Sequence, residues 1–269
     1  MDADEGRSRL RGLGFGEADV EELWAHFDGA EQRGKQGHGH ARIPWLEGLE
    51  GYDSSAEPSL VESEEGFQRW HGGGAIGYLV LGRVVRAQLE RPPVHARLIV
   101  CERTFPTGML GHHVRRLADG GLVAVLTATS PARLGHPSGG PKLAGTNPLA
   151  IGIPSSGLEA APAEPPPPGR KPRSPSTIRG GDPVVVDVSM GAVTWGDVVA
   201  GLAEEEQLVP FGGVQAHKAF ALALGLQLLV DALVRDEGHG AVLLVAQPEA
   251  DPVPALRELA AEVRLPGDS

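Results

Sequence analysis

Hydrophobic residues fall into two kinds of pattern along the chain. Leu10, Leu13, Val20, Leu23, Trp24 and Phe27 recur at helical spacing in a polar stretch, which predicts helix through the first 30 residues. After Gly72–Gly74, a helix is expected to carry Ala75, Leu79, Val80, Val84 and Val85 on one face. Five short apolar runs read as buried strands: Ala96–Cys101, Leu122–Thr127, Leu149–Ile153, Val184–Val188 and Ala241–Ala246. Each is rich in β-branched residues or bounded by Gly and Pro. Phe220–Val234 is apolar on almost every side and predicts a buried helix, and Val253–Val263 a last amphipathic one. Two segments break the pattern. Residues 33–44 are polar and glycine-broken, with Pro44 as their end. Leu158–Gly181 is a proline-rich polar insertion, expected to be a mobile loop outside the core. No internal repeat is present.

Composition narrows the class. A chain of 269 residues implies one large domain or two intimate ones. Its 35 acidic and 24 basic residues give a formal charge of −11, which disfavours nucleic acid or an anionic membrane as partner. Cys101 stands alone, so a disulfide framework and a cysteine-rich zinc site are excluded. With neither a secretory signal nor a membrane span expected, a cytoplasmic α/β protein is the first expectation.

Candidate chemistry comes next. Gly72-Gly-Gly74-Ala-Ile-Gly77 matches the glycine pattern of dinucleotide-binding folds. That pattern works where a buried parallel strand feeds the turn and an acidic residue closes the next strand. Ser63–His71 does not read as such a strand, and no acidic residue closes a second strand about 20 positions later, so a tight turn into a helix is expected. His38 and His40 could bind zinc with a third ligand, but none is obviously placed, and an exposed loop is the plain alternative. Arg42 follows His38 by four residues; a bidentate guanidinium beside an imidazole suits a small carboxylate substrate. His112 and His113 read as helix-surface residues. Asp187 closes an apolar strand, as a cap or as the partner that orients a histidine. Gly145-Thr-Asn-Pro148 fits a turn. His217-Lys218 precedes the apolar helix, where a phosphate is favoured; a solvated polar pair is the alternative. No one of these signals decides.

In order, they resemble the type-2 malate/L-lactate dehydrogenase family, which includes ureidoglycolate dehydrogenase, diketogulonate reductase and cyclic imino-acid reductases. Gly37-His-Gly-His-Ala-Arg-Ile-Pro44 resembles its S-H-G-x-x-R-x-P signature, and Gly145–Pro148 its G-T-N-P. Val184–Ser189 resembles the strand ending in D-M-S, and His217-Lys-Ala-Phe-Ala-Leu-Ala-Leu224 the H-K-G-Y-G-L-A-L motif. Four departures stand out. Gly37 replaces a serine, Pro106 a second histidine, and Ala219 and Ala221 two glycines; the segment Asp197–Phe211 is shorter than usual.

The resemblance implies an α+β, non-Rossmann fold. A mostly antiparallel β cofactor domain (71–214) would join a helical domain built from both chain ends (1–70 and 215–269). It implies an NAD(P)-dependent oxidoreductase acting on a small 2-oxo or 2-hydroxy acid or a cyclic imino acid, and a homodimer. His38 would be the proton donor or acceptor, Asp187 its orienting partner, and Arg42 the carboxylate ligand. Ser130, Thr146, Val188, Ser189, His217 and Lys218 fall where the family holds NAD or NADP. No metal is implied. A catalytically degenerate homologue, kept as a binding or assembly protein, is the alternative.

Overall fold

Leu10 and Val20 are both fully buried, yet the chain between them cannot stay helical, because Gly14 takes a positive φ of 89°. The N-terminal helix is therefore two: α1 (Ala3–Gly12) and α2 (Glu17–Gln32). This computed structural model describes residues 1–155, 181–236, 238–260 and 263–268. Nearly all of the expected proline-rich loop thus lies outside the described residues. A 3₁₀ turn at Gln36–His38 leads into α3 (Arg42–Glu47). Pro44 sits inside the first turn of α3 rather than ending the segment; a first turn has no N–H partner to lose there.

Five predicted strands are present, as β3 (Ala96–Glu102), β4 (Val123–Ala128), β7 (Leu149–Ile153), β8 (Val184–Val188) and β9 (Ala241–Ala246). Two more precede the glycine turn: β1 (Ser59–Glu64) and β2 (Phe67–His71). Among the described residues they form one sheet in the order β1-β2-β3-β9-β4-β7-β8. Every pairing is antiparallel except β2 with β3. A short hairpin, β5 (Leu134–Gly135) and β6 (Lys142–Ala144), stands apart. Strands β1, β2 and β9 come from the stretches expected to build the helical part, yet stand in the same sheet as β3 to β8.

The sequence reading of the glycine turn needs correction. A strand, β2, does feed it, and it leads into α4 (Gly77–Glu90) and parallel β3, whose last residue is the acidic Glu102. The polar residues Gln68, Arg69 and His71 hid β2; Arg69 is buried because it pairs with Glu102 at 2.8 Å and bonds the Leu233 carbonyl. Even so, the turn spends its groups on itself. Gly72 N–H donates to the Glu102 carbonyl, Gly73 N–H to His71 Nδ1 and Ala75 N–H to the Gly72 carbonyl. Glu102 Oε1 accepts from Arg69 and from Arg235 N–H, and the side chain is buried, so that oxygen is already engaged within the fold.

Strand periodicity sets two faces. Ile99, Leu243, Leu126, Ala150 and Asp187 are cross-strand neighbours in one row, beneath α4 and α5 (Leu110–Asp119). The first four are fully buried in the main core. On the other face, Leu98, Leu244, Val125, Ile151 and Val186 form an equally apolar row, and Leu244 is 41% exposed. A second core packs Leu10, Val20, Leu23, Phe27, Ile43, Leu46 and Tyr78 between α1, α2, α3 and the start of α4.

Helix α7 (Ala216–Leu233) buries Ala219, Phe220, Ala223 and Val230 but leaves Leu222, Leu228 and Leu229 about half exposed. It is therefore not the all-round buried helix expected. Against the expectation of no span, Gly213–Leu233 is also long and apolar enough, by length and composition only, to cross a membrane. In this structure its buried side packs on β4, β5 and β6. Two short helices, α6 (Trp195–Val199) and α8 (Val253–Leu259), complete the order.

Gly152 lies in β7 where α5 crosses it, and a Cβ there would stand 2.5 Å from the Val114 carbonyl oxygen. The obstacle is helix backbone, which cannot rotate away. Gly152→Ala should destabilise by about 1–3 kcal/mol through overpacking, read as a melting temperature several degrees lower. An unchanged midpoint would show that α5 can retreat from the sheet.

Candidate functional site

Backbone contact, not side-chain chemistry, first brings the N-terminal segment to the sheet. A Cβ on Gly37 would lie 2.6 Å from the Asp197 nitrogen, and one on Gly196 2.7 Å from Arg42 Nη2. Glycine at both positions lets the 3₁₀ turn carrying His38 lie directly on the start of α6. Thr194 and Asp197 cap that helix reciprocally: Asp197 N–H donates to Thr194 Oγ1 at 3.1 Å, and Thr194 N–H to Asp197 Oδ2 at 2.8 Å. Arg42 is pinned in the same junction. Its Nε donates to the Gly37 carbonyl at 2.9 Å and its guanidinium stacks over Trp45, 4.8 Å from the ring centre.

A cavity of about 500 Å³ opens at this junction. His38, Arg42, Ser130, Thr146, Asp187, Val188 and Ser189 all line it. Seven of the nine residues singled out from sequence, drawn from positions 38 to 189, thus share one wall. His217 and Lys218 do not line it. They are exposed at the start of α7, beside Ala216, which lines a neighbouring cavity of about 890 Å³. Arg133 and Ala192 border both cavities, and the Arg133 guanidinium lies 3.4 Å above the Trp195 ring. The G-T-N-P turn is more than a turn. Asn147, fully buried, donates to the Ala223 carbonyl at 2.9 Å and so ties Thr146 to α7.

His38 and Asp187 are perturbed in opposite senses. Burial removes His38 from water and Arg42 adds a nearby positive charge, so its pKa falls to about 3 despite Asp197. The imidazole is neutral at pH 7. Its Nδ1 is buried without a hydrogen-bond partner among the described residues. Burial pushes Asp187 up to about 6, against the opposing pull of the Gly111 N–H and of Lys35. Asp187 Oδ2 accepts from that N–H at 2.7 Å. The expected orienting bond from Asp187 to His38 is therefore not what this carboxylate makes; it caps α5 instead.

The other histidines also depart from expectation. His40 turns away to stack on Trp24 at 4.9 Å and bonds Asp28 at 3.1 Å. Among the described residues no group of three or more His, Cys, Asp or Glu is placed to hold a metal ion. His113, expected on a helix surface, is buried, and His112 is mostly so; both pack against His26. The apolar positions 110, 114 and 117 of α5 face the core, and 113 lies on the same side.

Tyr78, Lys35, Asp197, Arg133 and Trp195 also line the cavity, and sequence reasoning missed them. Asp197 carried a readable signal, the Thr194-x-x-Asp197 capping pattern. Tyr78 carried none, since it sits within an apolar helical stretch that reads as core.

Comparison with known proteins bears on the family and the fold. A sequence model of the family described as malate/L-lactate dehydrogenase matches residues 5–162, more than half of the chain. The dehydrogenase from Sinorhizobium meliloti is similar with a TM-score of 0.74 at 22% identity, covering 98% of this chain and 86% of that one. Δ1-Piperideine-2-carboxylate reductase from Pseudomonas syringae pvar. tomato gives 0.74 at 21% identity, covering 98% and 89%. Malate dehydrogenase from Pyrococcus horikoshii OT3 gives 0.72 at 16%, covering 96% and 79%. At these identities the likeness shows the fold: α+β with a mostly antiparallel sheet, as the resemblance implied. No curated protein sequence matches the chain.

The raised Asp187 pKa has a consequence for stability. Its ordinary value of 3.8 applies in the unfolded chain and about 6 in the folded one, so the folded state holds the proton more tightly. The resulting stability is present below pH 3.8 and lost as pH rises through about 6. His38 acts in the other direction, losing stability on acidification from 6.5 toward 3. Asp187→Asn keeps an acceptor for Gly111 but cannot ionise. The difference in unfolding free energy between variant and wild type, measured by urea titration, should therefore move in the variant's favour from pH 4 to 7. A pH-independent difference would return Asp187 to an ordinary solvated carboxylate.

Proposed function

The chain belongs to the malate/L-lactate dehydrogenase family, and we propose that it is an NAD(P)-dependent oxidoreductase that moves a hydride between the nicotinamide and the carbonyl or imine carbon of a small carboxylate-bearing substrate. The substrate class would be a 2-oxo or 2-hydroxy acid or a cyclic imino acid. The observation that carries the reading is the single cavity holding Arg42, His38 and Asp187 together with Ser130, Thr146, Val188 and Ser189.

The wall suits the cofactor. Ser130 Oγ is buried without a hydrogen-bond partner among the described residues, and Arg133 supplies a cation between the two cavities. Ser130, Thr146, Val188 and Ser189 would hold the nicotinamide end. Arg133 would meet phosphate, with His217 and Lys218 at the outer end beside Ala216. Nothing in these residues selects NAD over NADP.

The chain's own groups divide the remaining work. Arg42 is fixed through its Nε and its stack on Trp45, and its charge would grip the substrate carboxylate. His38 is uncharged at neutral pH, so it holds the reacting oxygen or nitrogen by a hydrogen bond rather than by charge. Asp187, titrating near 6, can take up and give a proton close to neutral pH. In the reduction, Asp187 gives its proton to the oxygen or nitrogen that gains the electron pair, and the carboxylate left behind is reprotonated from solvent.

The same reading takes the working unit as a cytoplasmic homodimer. The apolar row Leu98, Leu244, Val125, Ile151 and Val186 and the exposed leucines of α7 support it, and the net charge of −11 argues against nucleic acid. Two observations favour the degenerate homologue instead: Pro106 lines the cavity where a second histidine would stand, and Lys218 lies outside it.

Titration with NADH and NADPH, followed by nicotinamide fluorescence, separates the readings. Saturable binding with one of them is expected, and silence with both would leave the degenerate homologue. In the active enzyme, Arg42→Lys keeps the charge but loses the planar two-point contact, and kcat/KM should fall about 10–100-fold. Asp187→Asn should lower kcat by about 10²–10⁴ and remove the limb of the pH–rate profile near 6. A rate equal to wild type would take Asp187 out of the proton path.

A further inference from the structure

Tyr78 is an anomaly in the second core. It is 1% exposed, and its hydroxyl is buried without a hydrogen-bond partner among the described residues. A buried phenol normally finds an acceptor, because leaving the O–H unpaired costs about 1–3 kcal/mol. Its ring cannot turn away to find one. The His26 ring meets it edge-on at 4.9 Å and Phe27 at 5.2 Å. The third side is Gly108, at φ +69°, where a Cβ would reach to 2.5 Å from His26 Nε2. His26 is itself fixed, since its Nε2 accepts the Met109 N–H at 3.0 Å. Tyr78 also lines the cavity, together with Arg42 and His38.

The chemistry of that corner selects its ligand. Burial raises the phenol's pKa against the opposing charge of Arg42, so the hydroxyl keeps its proton in the neighbourhood of a guanidinium. Arginine has donors only, and a protonated phenol beside it has one to give. Two donor groups lining one cavity suit a ligand that only accepts and has two oxygens.

We propose that Tyr78 is a substrate-binding residue whose hydroxyl, with the Arg42 guanidinium, holds the substrate's carboxylate. This rests on the oxidoreductase reading only for the name of the substrate; binding of the carboxylate can be measured without turnover. The contact also sets specificity. A carboxylate satisfies both donors, whereas an amide at that position would point an N–H₂ at one of them, so acids should be preferred over their amides.

Tyr78→Phe removes the hydroxyl and keeps the ring. Because that hydroxyl has no protein partner, the variant should melt at or above the wild-type temperature. Its affinity for oxamate, measured calorimetrically, should fall about 10–100-fold, the size of a hydrogen bond to a charged group. KM for a 2-oxo acid should rise in parallel, while kcat changes by less than about threefold. A second measurement uses the intact chain. It has two tyrosines, Tyr52 and Tyr78, so 3-fluorotyrosine labelling should give two ¹⁹F resonances, of which the one absent from Tyr78→Phe should move with oxamate. The proposal is overturned if wild type binds no oxamate, if only the Tyr52 resonance moves, or if inorganic phosphate moves the Tyr78 resonance and oxamate does not. It is equally overturned if kcat collapses at unchanged oxamate affinity, since the hydroxyl would then act on the reacting atom. Oxamate binding through Tyr78 in a chain that binds neither NADH nor NADPH would retain this subsite and refute the oxidoreductase reading.

Discussion

The site depends on one close approach of backbone to backbone, between Gly37 and Gly196. His38 and Arg42 belong to the N-terminal helices, and Asp187 and Ser189 to the far edge of the sheet; nothing local in sequence relates them. What joins them is the seating of the 3₁₀ turn on α6, where either glycine would collide if it carried a Cβ. The Gly37 carbonyl then becomes the acceptor that fixes Arg42. The departure from the family's serine at position 37 is thus a packing requirement of this chain. A side chain there would meet the Asp197 backbone before it reached any ligand.

The sheet supplies the second half of the electrostatics. Asp187 ends the row Ile99–Leu243–Leu126–Ala150, so strand alternation alone turns its carboxylate inward beneath α5. It is desolvated because its neighbours in register are core residues. It remains tolerable there because α5 begins over it with a free N–H from Gly111. In the same cavity, His38 is desolvated next to Arg42, and its proton is expelled. Two groups in one cavity are shifted apart from their ordinary values, the carboxyl upward and the imidazole downward. That inverts the order of proton affinity from the one their side-chain types suggest.

Much of the fold was legible because its core strands are short apolar runs bounded by glycine or proline. Ala96–Cys101, Leu149–Ile153, Val184–Val188 and Ala241–Ala246 lie within or coincide with observed strands. β2 was not legible, because Phe67–His71 carries Gln68, Arg69 and His71, polar residues whose partners lie elsewhere: Glu102 for Arg69 and Asp236 for His71. His113 was hidden for a related reason, since a polar residue on a core-facing helical position looks like surface until its neighbours are known. α7 failed the other way. Its composition is apolar all round, but composition cannot say which side the rest of this chain covers. Of the site, His38, Arg42 and Asp187 were visible as motifs and Asp197 as half of a capping pattern, whereas Tyr78 is defined by its surroundings.

That last distinction bears on how the departures at 37 and 106 should be weighed. A motif records which side chains stand at given spacings, and by that measure Gly37 and Pro106 are losses. The cavity is made by surfaces, and there Gly37 is what permits contact, while Pro106 stands in the wall among Phe105, Thr107 and Gly108. The same loop closes over Tyr78 through Gly108 and is held from behind by His26 through Met109. The wall that lacks a histidine at position 106 also includes Tyr78, packed against Gly108. Whether a divergent member of such a family keeps a working site is decided by the donors and acceptors that reach the cavity, and here the residues lining it include the cation of Arg42, the phenol of Tyr78, the neutral imidazole of His38 and the carboxyl of Asp187, raised to about 6.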